Sequence, residues 1–168
     1  DDPRLTRRLG LAPAGRPFLR VILDRRLRTP PGAALFDEPG PVLVFSERQG
    51  GGLARRLAGR PCEVVSLPRV EPEPVLAELG RRGVGSVLVE GGGEVAASFL
   101  EAACYDRVTA IVAPVLIGGR SAPGPLGGAG FSALSAAPRL EALHHARAGE
   151  DRWITGVRPG CLRDLLQS

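Results

Sequence analysis

SVLVEGGGEVAASFL, residues Ser86 to Leu100, joins a short apolar run to three glycines and then to a helical pattern. The run Ser86–Val89 predicts a buried strand, and the spacing of apolar residues over 94–103 predicts a helix. Glycines at such a junction let the backbone approach an anion, and the free N–H groups and dipole of the helix favour negative charge. The stretch therefore predicts a phosphate-binding turn, with an ordinary strand-to-helix turn as the alternative.

The spacing of the glycines leaves both interpretations open. Gly91-x-Gly93-x-x-Ala96 fits a permissive form of the dinucleotide-binding fingerprint. However, no acidic residue closes the next apolar run, which ends at Ala113-Pro114, and this strand-turn-helix unit comes late in the chain. A P-loop is excluded because neither Lys-Ser nor Lys-Thr follows the glycines.

Glu90 directly precedes the glycines. At the carboxyl end of the predicted strand it would lie at the carboxyl edge of a sheet, which is where open α/β sheets bind their ligands. A solvent-facing acid that interacts favourably with the helix dipole is the alternative.

Outward from this stretch, apolar runs and helical patterns alternate along the chain. Strands are predicted over 18–23, 41–46, 62–67, 86–89, 107–113, 140–147 and 152–157, and helices over 50–59, 71–82 and 94–103. The last two strands are joined by Gly149-Glu150-Asp151, as in a hairpin. This order predicts an α/β fold with a mainly parallel central sheet, flanking helices and a C-terminal antiparallel hairpin.

Composition narrows the function classes. The 168 residues, 43% of them hydrophobic and 24% charged, fit one globular domain. The chain has no apolar run of about eighteen residues and begins with charged residues, so we expect a cytoplasmic protein with no membrane association. Arginine supplies all 22 basic residues, which suits anionic ligands, but the arginines are dispersed and aromatics make up only 4%, which disfavours nucleic acid.

Cysteine, histidine and methionine usage adds two expectations. The three cysteines form no CxxC pair, and the adjacent His144 and His145 would point to opposite faces of a strand, so no metal site is predicted. The sequence contains no methionine, so we expect further chain upstream of Asp1.

Four motifs together resemble one enzyme family. They are DDPRLTRR at 1–8, RVILDRRLRTP at 20–30, VLVEGGGEVAASFL at 87–100 and APVLIGG at 113–119. In this order they resemble the reductase domain of the bacterial bifunctional riboflavin-biosynthesis deaminase/reductase. The resemblance runs from Asp1 to about Arg158 and implies a dihydrofolate-reductase-like fold, with domain bounds of 1–158 and a C-terminal tail over 159–168.

The resemblance also implies an activity and a site. It implies that NADPH reduces the ribose of 5-amino-6-(5-phosphoribosylamino)uracil to a ribityl chain, in a homodimer. Glu90 resembles a catalytic substrate contact near the sugar, and Leu5 and Arg8 resemble substrate contacts, with Arg8 suited to the phosphate. Asp1 resembles a cofactor contact, and so do the residues of the glycine turn and helix: Gly92, Gly93, Glu94, Val95, Ala96, Ala97 and Ser98.

The sequence departs from the family pattern at two places. Arg25 stands where the family commonly has a small hydroxyl residue in contact with the cofactor; it could pair with the 2′-phosphate of NADPH or remain solvated. The family's first strand, with its lysine, and its zinc deaminase domain would precede Asp1. Another dihydrofolate-reductase-like reductase and a non-catalytic nucleotide-binding fragment therefore remain as alternatives.

Overall fold

The computed structural model describes residues 2–6, 18–48, 57, 59–60, 62–119 and 121–161. The chain forms two compact units, Asp1–Gly83 and Val84–Ser168. None of the described helices has the length and apolar character that crossing a membrane requires.

The first unit contains three parallel strands, β1 (Arg20–Leu23), β2 (Val42–Ser46) and β3 (Cys62–Ser66). Their order is β1-β2-β3, and every residue of the central strand β2 is buried. A strand covered on both faces is expected to be apolar along its whole length, as VLVF is. The parallel part of the predicted sheet is therefore confirmed.

One helix and one short turn complete the first unit. Helix α1 (Pro72–Arg81) begins with proline at its first position and buries Val75 and Leu79, which lie four residues apart on one face. A short 3₁₀ helix spans Ala34–Phe36. The predicted helix over 50–59 lies largely outside the described residues.

The second unit contains helix α2 (Gly93–Glu101) and strands β4 (Arg107–Val112), β5 (Glu141–Ala148) and β6 (Asp151–Val157). The strands form an antiparallel sheet in the order β4-β6-β5. The predicted hairpin is confirmed, with Gly149 in the left-handed region at φ 64° between its strands.

The predicted strand over Ser86–Val89 is wrong. These residues form no strand, and Leu88 is 81% exposed. An apolar pattern indicates a preference for extended, buried backbone, but a strand also needs a hydrogen-bonding neighbour. Among the described residues, the six assigned strands pair with one another and not with this run.

Candidate functional site

The glycine turn opens directly into helix α2. The N–H groups of Val95 and Ala96 both donate to the carbonyl oxygen of Gly92, at 3.0 and 3.1 Å. The earlier N–H groups, those of Gly93 and Glu94, precede the first hydrogen bonds of the helix, as at any helix start. Gly91 and Gly92 are exposed, so an anion can approach this end of the helix.

Two of the glycines differ in the space around them. A Cβ at Gly91 would lie 2.7 Å from Cβ and 2.8 Å from Cγ1 of Val95, which is closer than carbon atoms pack. A Cβ at Gly92 would meet nothing within 4 Å. Gly91 therefore lets the turn close against Val95, and Gly92 faces open space in which a ligand could lie.

The residues after the turn do not share one surface. Ala97 is buried, and the Ser98 hydroxyl donates to the Val95 carbonyl oxygen at 2.7 Å within the helix. Glu94 is exposed, and its Oε1 accepts a hydrogen bond of 3.3 Å from the N–H of Gly128. The predicted cofactor contacts over 92–98 thus include exposed backbone, one buried side chain and one hydroxyl that already has an acceptor.

A glycine-rich segment contacts the start of this helix, and the sequence did not predict that contact. The Gly127 N–H donates to the Gly93 carbonyl oxygen at 2.9 Å, next to the contact between Gly128 and Glu94. The sequence is rich in glycine and proline over 114–130, but nothing in it indicates which element that stretch packs against. Glycines have no side-chain pattern from which such a contact could be inferred.

Glu90 lies immediately before the turn and is exposed. Because the run before it is not a strand, its predicted place at the carboxyl edge of a sheet is wrong. Its exposure leaves the carboxylate accessible to a ligand of the neighbouring turn. Its role toward the sugar stays a prediction.

The carboxyl edge of the parallel sheet, in the first unit, carries Asp24 and Arg25. Oδ2 of Asp24 accepts hydrogen bonds of 2.6 Å from both the N–H and the hydroxyl of Thr29. Burial raises the pKa of Asp24, but the hydrogen bonds from Thr29 and from neighbouring backbone N–H groups outweigh it, so the net pKa is lowered. The ionised Asp24 therefore fixes the turn that presents Arg25.

Arg25 is one of several exposed arginines at that edge, with Arg26, Arg28 and Arg48. Its side chain is 59% exposed, and its Nε lies 3.6 Å from Oε1 of Glu47 and 3.4 Å from the carbonyl oxygen of Val70. These are long contacts in an exposed setting, where an ion pair contributes little. The guanidinium can therefore exchange them for an anionic ligand.

The N-terminal candidates are only partly described. Leu5 is half-buried and has a φ of 48°, which is uncommon for a residue with a side chain. Residues 2–6 contact the rest of the first unit through a hydrogen bond of 2.9 Å, which the N–H of Ala34 donates to Oδ1 of Asp2. Asp1 and Arg8 lie outside the described residues.

Two further observations bear on ligands. A groove of about 280 Å³ lies at the other end of α2, where Leu100, Tyr105 and Arg158 contribute to its lining, so it does not include the glycine turn. Within the described ranges, no group of three or more His, Cys, Asp or Glu side chains could hold a metal ion. The glycine turn fits the phosphates of a dinucleotide, since it offers open backbone and helix N–H groups.

Comparison with known proteins decides the family. The profile of the RibD C-terminal domain matches residues 1–154. The chain belongs to this family. A family member named riboflavin biosynthesis protein RibD, from Bacillus amyloliquefaciens, is 35% identical over 94% of this chain and 43% of its own length. The chain thus spans less than half of that relative.

An archaeal relative is closer to this chain in length. The 2,5-diamino-6-ribosylamino-4(3H)-pyrimidinone 5′-phosphate reductase of Methanothermobacter thermautotrophicus is 33% identical over 90% of this chain and 71% of its own length.

A solved structure gives the same family and the fold. The crystal structure of the diaminohydroxyphosphoribosylaminopyrimidine deaminase/5-amino-6-(5-phosphoribosylamino)uracil reductase of Thermotoga maritima superimposes with a TM-score of 0.73 at 28% identity. The match covers 95% of this chain and 42% of that one. The predicted dihydrofolate-reductase-like α/β fold is confirmed.

Proposed function

We propose that this chain is an NADPH-dependent reductase that converts the ribose of 5-amino-6-(5-phosphoribosylamino)uracil into a ribityl chain. One observation carries the proposal: an exposed glycine turn opens α2 in a chain whose relatives include a riboflavin biosynthesis protein and named pyrimidine reductases. The turn supplies the anion-binding backbone that a dinucleotide needs.

Each predicted site residue has a task in this reaction. At the start of the stretch Gly92–Ser98, the backbone N–H groups of Gly93 and Glu94 hold the cofactor phosphates. Asp1 contacts the cofactor, and Arg25 pairs with the 2′-phosphate. Leu5 and Arg8 hold the phosphorylated pyrimidine, with the Arg8 guanidinium on the substrate phosphate.

Glu90 acts at the sugar. NADPH, when bound, supplies hydride. In its open-chain imine form the ribosylamine accepts hydride at C1′ and a proton at the adjacent nitrogen. A carboxyl group beside that position orients the sugar and favours the protonated, more electrophilic imine. Glu90 is our candidate for that group because it is exposed directly before the glycine turn.

The archaeal relative favours a second substrate. Its name gives the 2,5-diamino pyrimidinone, which keeps the amino group that a deaminase would remove. The same residues could bind either pyrimidine, since the two substrates share the ribosylamine and its phosphate. The same proposal includes three properties of the whole protein: it forms a homodimer, it lies in the cytoplasm, and it has a zinc deaminase domain upstream of this chain.

Replacing Glu90 with glutamine tests the proposal. We expect kcat to fall about a hundredfold, in the range for a lost acid-base group, and the Kd for NADPH to stay within about twofold. Fluorescence titration gives the Kd, and absorbance of NADPH with either pyrimidine gives kcat. Glu150→Gln, an exposed hairpin residue, serves as the control. Equal losses of turnover and NADPH affinity in Glu90→Gln would contradict the assigned role.

A further inference from the structure

Two glycines lie against the first turn of α2. The Gly127 N–H donates to the Gly93 carbonyl oxygen at 2.9 Å, and the Gly128 N–H donates to Oε1 of Glu94 at 3.3 Å. These two bonds attach the segment Gly127–Gly128, which we name the glycine clasp, to the start of the helix. Glu94 provides the only side-chain acceptor recorded for the clasp among the described residues.

The clasp fits closely because it has no side chains. A Cβ at Gly127 would overlap the Glu94 carboxylate and lie 3.2 Å from the Glu94 backbone nitrogen. A Cβ at Gly128 would lie 2.6 Å from Oε1 of Glu101 and 2.9 Å from Cβ of Ala97, and its φ of 71° also favours glycine. The clasp therefore follows one face of α2, along Glu94, Ala97 and Glu101.

The contact between the clasp and Glu94 affects the anion-binding end of the helix. An acidic side chain in a first helical turn is attracted to the free N–H groups, for which the cofactor phosphates would compete. The Gly128 N–H instead holds the Glu94 carboxylate on the side of the helix that faces the clasp. The Gly92 side of the turn stays open, with no atom within 4 Å of a Cβ built there.

We propose that Glu94 is a positioning residue that, held by the glycine clasp, keeps the first turn of α2 ordered and clear for the cofactor phosphates. This inference rests on the proposed function. It assigns the Glu94 side chain a role through the clasp rather than by direct contact with the cofactor. Its carboxylate has two separable effects: the oxygen anchors the clasp, and the charge opposes an anionic ligand.

Two substitutions separate these effects. Glu94→Gln keeps an oxygen acceptor for the Gly128 N–H and removes the charge, whereas Glu94→Ala removes both. Since the two variants lack the same charge, the difference between them measures the anchor. We expect the Kd for NADPH of Glu94→Ala to exceed that of Glu94→Gln about fivefold, as for one hydrogen bond lost. The KM for the pyrimidine should change less than twofold, whereas a general loss of structure would change it as well.

A matched pair of glycine substitutions tests the clasp from the other side. Gly127→Ala forces its new methyl group into the Glu94 carboxylate and should raise the Kd for NADPH about fivefold, as for one displaced hydrogen bond. Gly124→Ala adds the same methyl group in the same stretch, but meets only the Leu126 carbonyl oxygen at 3.6 Å. We expect Gly124→Ala to bind NADPH like the unmodified chain.

The measurement is fluorescence titration with NADPH on the unmodified chain and all four variants, with thermal unfolding as the check on folding. Hydrogen exchange over 121–130 should be faster in Glu94→Ala than in Glu94→Gln. Equal Kd values for these two variants, in a protein that binds NADPH, overturn this inference alone. Equal Kd values for Gly127→Ala and Gly124→Ala also overturn it. Failure of the unmodified chain to bind NADPH overturns the proposed function and this inference with it.

Discussion

Replacing Asp24 with asparagine tests how the carboxyl end of β1 is held. Oδ2 of Asp24 accepts hydrogen bonds from the N–H and from the hydroxyl of Thr29, each at 2.6 Å. Asp24 itself is only 9% exposed. Asparagine has the same shape, but only one of its two terminal atoms can accept a hydrogen bond. The substitution therefore removes charge and acceptor capacity and leaves the packing almost unchanged.

The expected loss follows from these bonds. Hydrogen bonds to a charged group contribute more than neutral ones, and asparagine keeps an uncharged acceptor, so we expect the free energy of unfolding to fall by about 2 kcal/mol at neutral pH. The folded-state pKa of Asp24 is lowered by the Thr29 and backbone hydrogen bonds, which outweigh its burial. Its stabilisation is therefore fully present above the unfolded-state pKa and is lost as the pH falls through the lower folded-state pKa.

Urea unfolding followed by circular dichroism, at a series of pH values, measures both effects. The stability curves of Asp24→Asn and the unmodified chain should lie apart at neutral pH and converge in acid. Hydrogen exchange at the Thr29 amide should be faster in the variant at neutral pH. Asp37→Asn is the control, since the Asp37 side chain is 56% exposed and forms an ion pair with Arg60 at 2.7 Å. A constant difference across all pH values, or an equal loss in the control, would refute the reasoning.

Two further substitutions test the candidate site. Gly91→Ala places a methyl group 2.7 Å from Cβ of Val95. We therefore expect weaker NADPH binding and a fall of about 1–3 kcal/mol in the free energy of unfolding, measured in urea. Unchanged values of both would show that the turn is not tightly closed there. Arg25→Ala removes the exposed cation near Glu47 and should weaken NADPH binding about fivefold and leave NADH binding unchanged, since only NADPH carries the 2′-phosphate. Equal effects on the two cofactors in calorimetric titrations would remove Arg25 from the 2′-phosphate site.

The elements that the sequence predicted correctly are those with local signals. The run over 41–46 is apolar without alternation because β2 is buried on both faces, and Gly149 lies where the hairpin needs a positive φ. The run over Ser86–Val89 shows the limit of such signals. Its composition is that of a strand, yet whether it becomes one depends on a neighbour that the local pattern does not specify.

The candidate site also has one part that a local signal predicts and one part that it does not. The glycine turn follows from three glycines before a helical pattern, and the structure has that helix starting at Gly93. The contact between Glu94 and Gly128 joins residues 34 positions apart, and glycine offers no periodicity from which to infer it. The sequence could therefore indicate where a helix begins with free N–H groups, but not which side of that helix a distant segment covers.

Transfer of deuterium tests the central claim most directly. The chain is incubated with NADPH deuterated at the transferable position of the nicotinamide and with the ribosylaminopyrimidine phosphate, in its deaminated or its diamino form, and the products are analysed by mass spectrometry. We expect a ribitylamino product with one deuterium at C1′, formed in step with NADPH oxidation. An unreduced ribosylamine in the presence of bound NADPH, or a reduced product without deuterium, would contradict the proposed hydride transfer.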